Sequence, residues 1–144
     1  MNWKRIIIAA IVFAIISQVM HTVESMLTMD FYMDEAYFGV WSKLMMPTAG
    51  PPPTEFYVAS IASAAIIALI YAAVYDMLKG SLPGKNDLMK GLNYGIMLFI
   101  LVQIPGLLGM WLLINLPAML FVYWGIGSLV ILVIGGIVIA KIVK

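Results

Sequence analysis

Cysteine is absent from the 144-residue chain and histidine occurs once, at His21. Without a thiol there is no disulfide, thiolate nucleophile or iron–sulfur ligation, and a lone imidazole cannot supply a histidine-pair haem site. Charge is scarce as well: Asp, Glu, Lys and Arg make up 10% of the residues, against about 25% in a soluble domain. A net charge of +1 leaves no electrostatic footprint for nucleic acid. In place of charge the chain has apolar residues, 64% of the total, and a mean hydropathy of +1.06. A water-soluble fold of this composition would expose large apolar areas, so the composition points to a lipid bilayer as the surrounding medium. No cofactor and no metal are expected.

A hydrocarbon core about 30 Å thick needs roughly 20 residues of helix, and four apolar runs reach that length. The predicted spans are 6–29, 56–78, 91–113 and 117–143, with an outer loop over 30–55. The expected fold is all-α and polytopic, four transmembrane helices arranged as two hairpins in one domain. The first run follows Trp3-Lys4-Arg5 and stays apolar from Ile6 to Met20, as a signal peptide would. The next residues, His21-Thr22-Val23-Glu24, lack a small-x-small cleavage site, so the segment is expected to remain a span. Between the third and fourth spans, Ile114, Asn115 and Leu116 leave so little chain that these helices must be antiparallel neighbours.

Basic residues flanking spans are retained on the cytoplasmic side. Lys4 and Arg5, then Lys79, Lys85 and Lys90, then Lys141 and Lys144 share one face of a four-span chain, and Lys43 falls on the other. Both termini are therefore expected in the cytoplasm, with the chain in the cell (inner) membrane.

The outer loop opens with Asp30, Asp34 and Glu35. From Asp34 to Met46, the spacing of Tyr37, Trp41, Leu44 and Met45 puts them on one helix face, predicting a short amphipathic helix in the interface. An irregular loop with anchoring aromatics is the alternative. The stretch from Pro47 to Pro53 cannot be regular helix and predicts a stiff extended strap, suited to a lid. Small residues form a stripe at Ser60, Ala64, Ala68 and Ala72, with further sets at Gly91 and Gly95 and at Gly125, Gly127, Ser128, Gly135 and Gly136. Such stripes let helices approach closely, either within the subunit or between copies.

Polar groups at membrane depth usually face a bundle interior or water. Gln18, His21, Glu24, Ser60, Ser63, Gln103 and Tyr123 all fall in the outer half of the predicted spans, while the inner stretches Ile6 to Ile16, Ala64 to Ile70, Ile96 to Val102 and Leu129 to Ala140 contain no ionisable side chain. The pattern predicts an outward-opening polar pocket over an apolar floor rather than a continuous channel. Pro105 cannot donate to the carbonyl of Leu101, so with Gly106 and Gly109 it predicts a kink, whose freed carbonyl Gln103 or water would satisfy. Gln18 and Gln103 lie at similar depth, about 18 and 17 Å from the inner boundary, which predicts a hydrogen bond between them.

His21 and Glu24 are three residues apart and adjacent on one face. They read as a proton-handling pair, as half of a metal site needing Asp30, Glu55 or a second subunit, or as a polar helix end. Met20, Met26, Met29 and Met33 around that end would suit Cu(I), or ordinary packing.

His21-Thr-Val-Glu24, Tyr37-Phe-Gly-Val-Trp41, Pro51-Pro52-Pro53, Lys90-Gly91-Leu-Asn-Tyr-Gly95 and Asn115-Leu-Pro117 together resemble small four-helix prokaryotic membrane proteins that carry no assigned activity. The resemblance implies the topology and no catalytic residue. A small multidrug exporter is similar in having four helices and a glutamate in the first, although Glu24 lies near the outer end rather than mid-membrane. The leading functional expectation is a non-enzymatic membrane protein, an accessory subunit or a small self-associating bundle. Its partners would be the bilayer and further copies or a larger membrane complex. The alternative is a proton-linked transporter of a small or lipophilic solute using His21 and Glu24.

Overall fold

A computed structural model describes residues 2–48 and 50–144. Six α-helices account for most of the chain, and no strand forms among the described residues: α1 Trp3–Leu27, α2 Met29–Met33, α3 Thr54–Leu78, α4 Asp87–Leu98, α5 Ile104–Leu113 and α6 Ala118–Ile142. A π turn over Phe99–Gln103 joins α4 to α5 without a break. Among the described residues four helices, counting Asp87–Leu113 as one, are long and apolar enough to cross a membrane.

Short polar residues and prolines start these helices. Asn2 accepts from the backbone N–H of Arg5 and Asn86 from that of Met89, each satisfying one of the orphan donors of a first turn. Pro53 and Pro117 stand just before α3 and α6, where the missing N–H costs nothing. α1 stops at Thr28, whose buried hydroxyl donates to the carbonyl of Glu24. Thr22 and Ser25 likewise bond back to carbonyls one turn earlier, so these hydroxyls need no water.

The packed core lies toward one end. Ile6, Ala9, Ala10 and Phe13 of α1 meet Ala68, Ala72 and Tyr75 of α3, Tyr94 and Leu98 of α4, and Ile131, Leu132, Ile139 and Ala140 of α6. α1 packs against α3 and α6, and α4 against α6. Gly91, Gly95 and Gly136 carry the α4–α6 crossing: a Cβ at Gly136 would run into the carbonyl oxygen of Gly91, and one at Gly95 into the backbone of Leu132 and Val133. The ring of Phe13 occupies the space that a side chain at Gly135 would need. Ala68 and Ala72 are buried, so the C-terminal part of the small-residue stripe serves contact within the subunit.

The ends of α3 and α6 and the starts of α1 and α4 meet at this end. Arg5 donates to the carbonyl of Lys144 (3.1 Å) and Lys79 to that of Val143 (2.9 Å), supplying partners for the carbonyls just past the end of α6. Lys90 donates to the carbonyl of Lys79, and Lys79 also pairs with Asp76 at 2.9 Å.

At the opposite end the loop folds over α6. The helix expected from Asp34 to Met46 is instead a 3-10 turn over Glu35–Val40, followed by turns at Ser42–Met46. Asp34 takes the N–H of Ala36 with its own carboxylate, Gly39 weakens any α-helix, and Trp41 is extended. Tyr37, Val40 and Trp41 still act together, packing with Phe31 on Leu116, Leu120 and Phe121, whereas Leu44 stays exposed. Tyr32 stacks on Trp41 at 4.9 Å between ring centres and accepts a hydrogen bond from the indole of Trp124 (3.0 Å). Pro47–Pro53 contains no helix among its described residues, and Ala49 lies outside them.

Candidate functional site

Above the packed core, α1, α3, the π turn and α6 surround a cavity of about 310 Å³. Of the residues singled out by sequence, Gln18 and His21 reach it from α1, Ser60 and Ser63 from α3, and Gln103 from the π turn. Ser17, Tyr71 and Ser128 complete the polar lining, and Phe13, Ile131 and Leu132 form its apolar floor. Sequence reasoning missed these three polar residues. Ser17 stands four residues before His21 and so on the same helix face, which is a usable signal. Ser128 lies in a run of glycines that reads as packing, and Tyr71 in a run of Ala and aliphatics.

The amide of Gln18 donates to Ser60 Oγ across 3.2 Å, tying α1 to α3. This replaces the expected Gln18–Gln103 hydrogen bond: both glutamines face the same cavity, but the serine on the packed neighbour is within reach of Gln18. Gln103 owes its position to backbone. Pro105 has no N–H, and the chain responds one turn earlier, where the N–H of Ile104 reaches back five residues to the carbonyl of Phe99. A π turn inserts one extra residue into a helix, and Gln103, its last residue, lines the cavity. Gly106 and Gly109 have open space around them and meet no neighbour closely. Irregular backbone at membrane depth is tolerated where it lines a cavity.

Glu24 and Tyr123 lie elsewhere. They line a smaller hollow of about 190 Å³ between α1 and α6, apolar apart from them and Thr28, with Met20, Val23 and Ile126. Glu24 Oε2 is 3.1 Å from His21 Nδ1, so the pair bridges the two hollows, His21 on the larger and Glu24 on the smaller. The other oxygen, Glu24 Oε1, is buried without a hydrogen-bond partner, against the Cα of Gly127, where a Cβ would collide with it. Among the described residues no third His, Asp or Glu converges on this pair.

None of the described loop residues lines the larger cavity. The loop expected to cap the pocket sits instead on the N-terminal end of α6. There, burial raises the hydroxyl of Tyr32 above the usual phenol range, with the charge of Glu24 adding to it, while hydrogen bonds involving Trp124 and Thr28 pull the other way.

No family model, curated protein or solved structure matches this chain.

Proposed function

We propose that the chain is a non-enzymatic integral membrane protein that crosses the cell membrane four times as two helical hairpins, both termini cytoplasmic. It serves as an accessory subunit or self-associating bundle that binds a polar group in the cavity of its outer half. The observation carrying this is the cavity: four residue types with hydrogen-bonding side chains (Ser, Gln, His, Tyr) line it from α1, α3, the π turn and α6, over an apolar floor. The exposed apolar stripe Ile7, Ile11, Ile15, Val19 and Val23 on α1 supports insertion in lipid, and the clustering of basic residues at the opposite end from Lys43 supports the orientation. A nucleophile needs a base in hydrogen-bonding contact, and no serine hydroxyl hydrogen-bonds to His21, which favours binding over catalysis. In right-side-out vesicles, a cysteine replacing Ser60 should react with a membrane-impermeant maleimide added outside. No reaction from either side would reject a water-reaching cavity.

The His21–Glu24 contact favours a second reading, a proton-linked transporter. An imidazole beside a carboxylate whose other oxygen lacks a partner can take up a proton when a solute binds or leaves. Solute flux in proteoliposomes that responds to an imposed pH gradient, and does so less in Glu24→Gln, is the expected sign.

A further inference from the structure

Resting on the cavity being the binding site proposed above, we infer that it takes the uncharged, hydroxyl-bearing headgroup of a membrane amphiphile, entering sideways between α3 and the α4–α5 span. The walls set the direction of entry. α1 packs against both α3 and α6, closing the back and one side. α3 and the α4–α5 span meet at the inner end, where the hydroxyl of Tyr94 donates to the carbonyl of Tyr71 (2.7 Å) and its ring stands edge-on to Tyr75. Beyond that contact they part: no residue from Phe99 to Leu113 is buried, and none from Thr54 to Ile67. Ser63 and Ile67, four residues apart on α3, both line the cavity and are exposed, so they form its lip.

A lip of this kind is costly in bare hydrocarbon, which can satisfy neither Ser63 nor Gln103. An amphiphile resolves the mismatch, since its headgroup meets the polar lining while its chains stay among the exposed aliphatic side chains outside. The lining also selects the headgroup. It holds no Lys, Arg, Asp or Glu, and its one imidazole, His21, already has Nδ1 against Glu24. A phosphate would need cationic or bidentate donors that are missing here. Serine hydroxyls and glutamine amides both donate and accept, matching the hydroxyls of a sugar or polyol. About 310 Å³ lies at the small end of ligand pockets, room for a headgroup and not for acyl chains.

The test is native mass spectrometry of the full chain released from mild detergent, titrated in turn with dioleoyl monoglucosyl glycerol, dioleoyl phosphatidylglycerol and water-soluble methyl glucoside. Expected is retention of the glucosyl lipid about tenfold above phosphatidylglycerol, a ratio that the loss of matched hydrogen bonds supports. Ser63→Leu and Gln103→Leu should each lower it, and Ser63→Thr, which keeps the hydroxyl, should not. Equal retention of phosphatidylglycerol overturns the preference for an uncharged headgroup. Methyl glucoside bound as tightly as the lipid overturns lateral entry by an amphiphile and leaves the polar cavity standing. If neither glucoside binds, the inference fails, and cavity access is judged separately by maleimide labelling at Ser60→Cys.

Discussion

Gln18 on α1 and Ser60 on α3 are joined by a hydrogen bond of 3.2 Å at the wall of the cavity. It is a cross-helix bond between side chains of opposite spans, in a region where the two helices bury no large side chains. Hydrogen bonds between membrane helices average about 0.6 kcal/mol and rarely exceed about 2. Gln18→Leu and Ser60→Ala should therefore each destabilise the fold slightly in detergent unfolding, and the double variant should lose less than their sum. Strict additivity would mean the bond contributes nothing.

The α4–α6 crossing makes a sharper prediction. Gly95→Ala and Gly136→Ala should each cost about 1–3 kcal/mol or more, because the new methyl meets backbone that cannot move aside. Gly109→Ala, with open space around it, should be neutral or gain up to about 1 kcal/mol from helix propensity. Thermal unfolding of the three variants side by side checks this, and a Gly136→Ala protein as stable as Gly109→Ala would contradict the crossing.

Much of this was legible in the sequence, for identifiable reasons. The positions of the four long helices follow from apolar length alone, and Gln18, Ser60, Ser63 and Gln103, singled out by their place along those runs, line one cavity. Two things were not legible. Whether Glu24 shares the cavity depends on helix rotation, and one position of rotation sends it toward Gly127 instead. The form of the loop depends on tertiary contacts, since the spacing of Tyr37 and Trp41 fits an α-helix and the chain uses a 3-10 turn to seat both on Leu120 and Phe121.

Orientation can be read by labelling, with no native cysteine to interfere. A cysteine at Ser81 should stay unlabelled by an impermeant reagent added outside intact cells, and one at Lys43 should react. The reverse pattern would invert the topology.

Tyr32 gives a pH prediction. Its hydroxyl is raised above the usual value of 10.0 mainly by burial. A group whose folded value lies above its unfolded one stabilises fully below the unfolded value, and that contribution is lost as pH rises through the folded value. Melting temperature should thus fall between about pH 10 and higher pH, and Tyr32→Phe should lose part of this fall. At pH 8 the same variant should be less stable by about 1–3 kcal/mol, because the indole N–H of Trp124 loses its acceptor. A wild-type alkaline profile unchanged in Tyr32→Phe would exclude this residue as the source.

Gly127→Ala probes the His21–Glu24 pair without touching either residue. Its methyl would displace the carboxylate from α6 and with it the 3.1 Å contact to His21. If the pair handles protons, pH-dependent flux should weaken in Gly127→Ala as in Glu24→Gln; flux that keeps its full pH response in both removes the transporter reading.

The π turn also changes what a length mutation would do. Elsewhere in a span, removing one residue swings everything beyond it by about 100°; in α6 that would carry Gly136 off the α4 crossing. Within Phe99–Gln103 the extra residue is already there to be lost. A one-residue deletion at this point lets the helix close into ordinary α-geometry, with Gly91 and Gly95 on one side and Leu107 on the other still facing their neighbours. Of the four long helices, the third is therefore the one whose length can drift by a residue without scrambling the bundle, and the residue it would give up is the one that turns Gln103 inward.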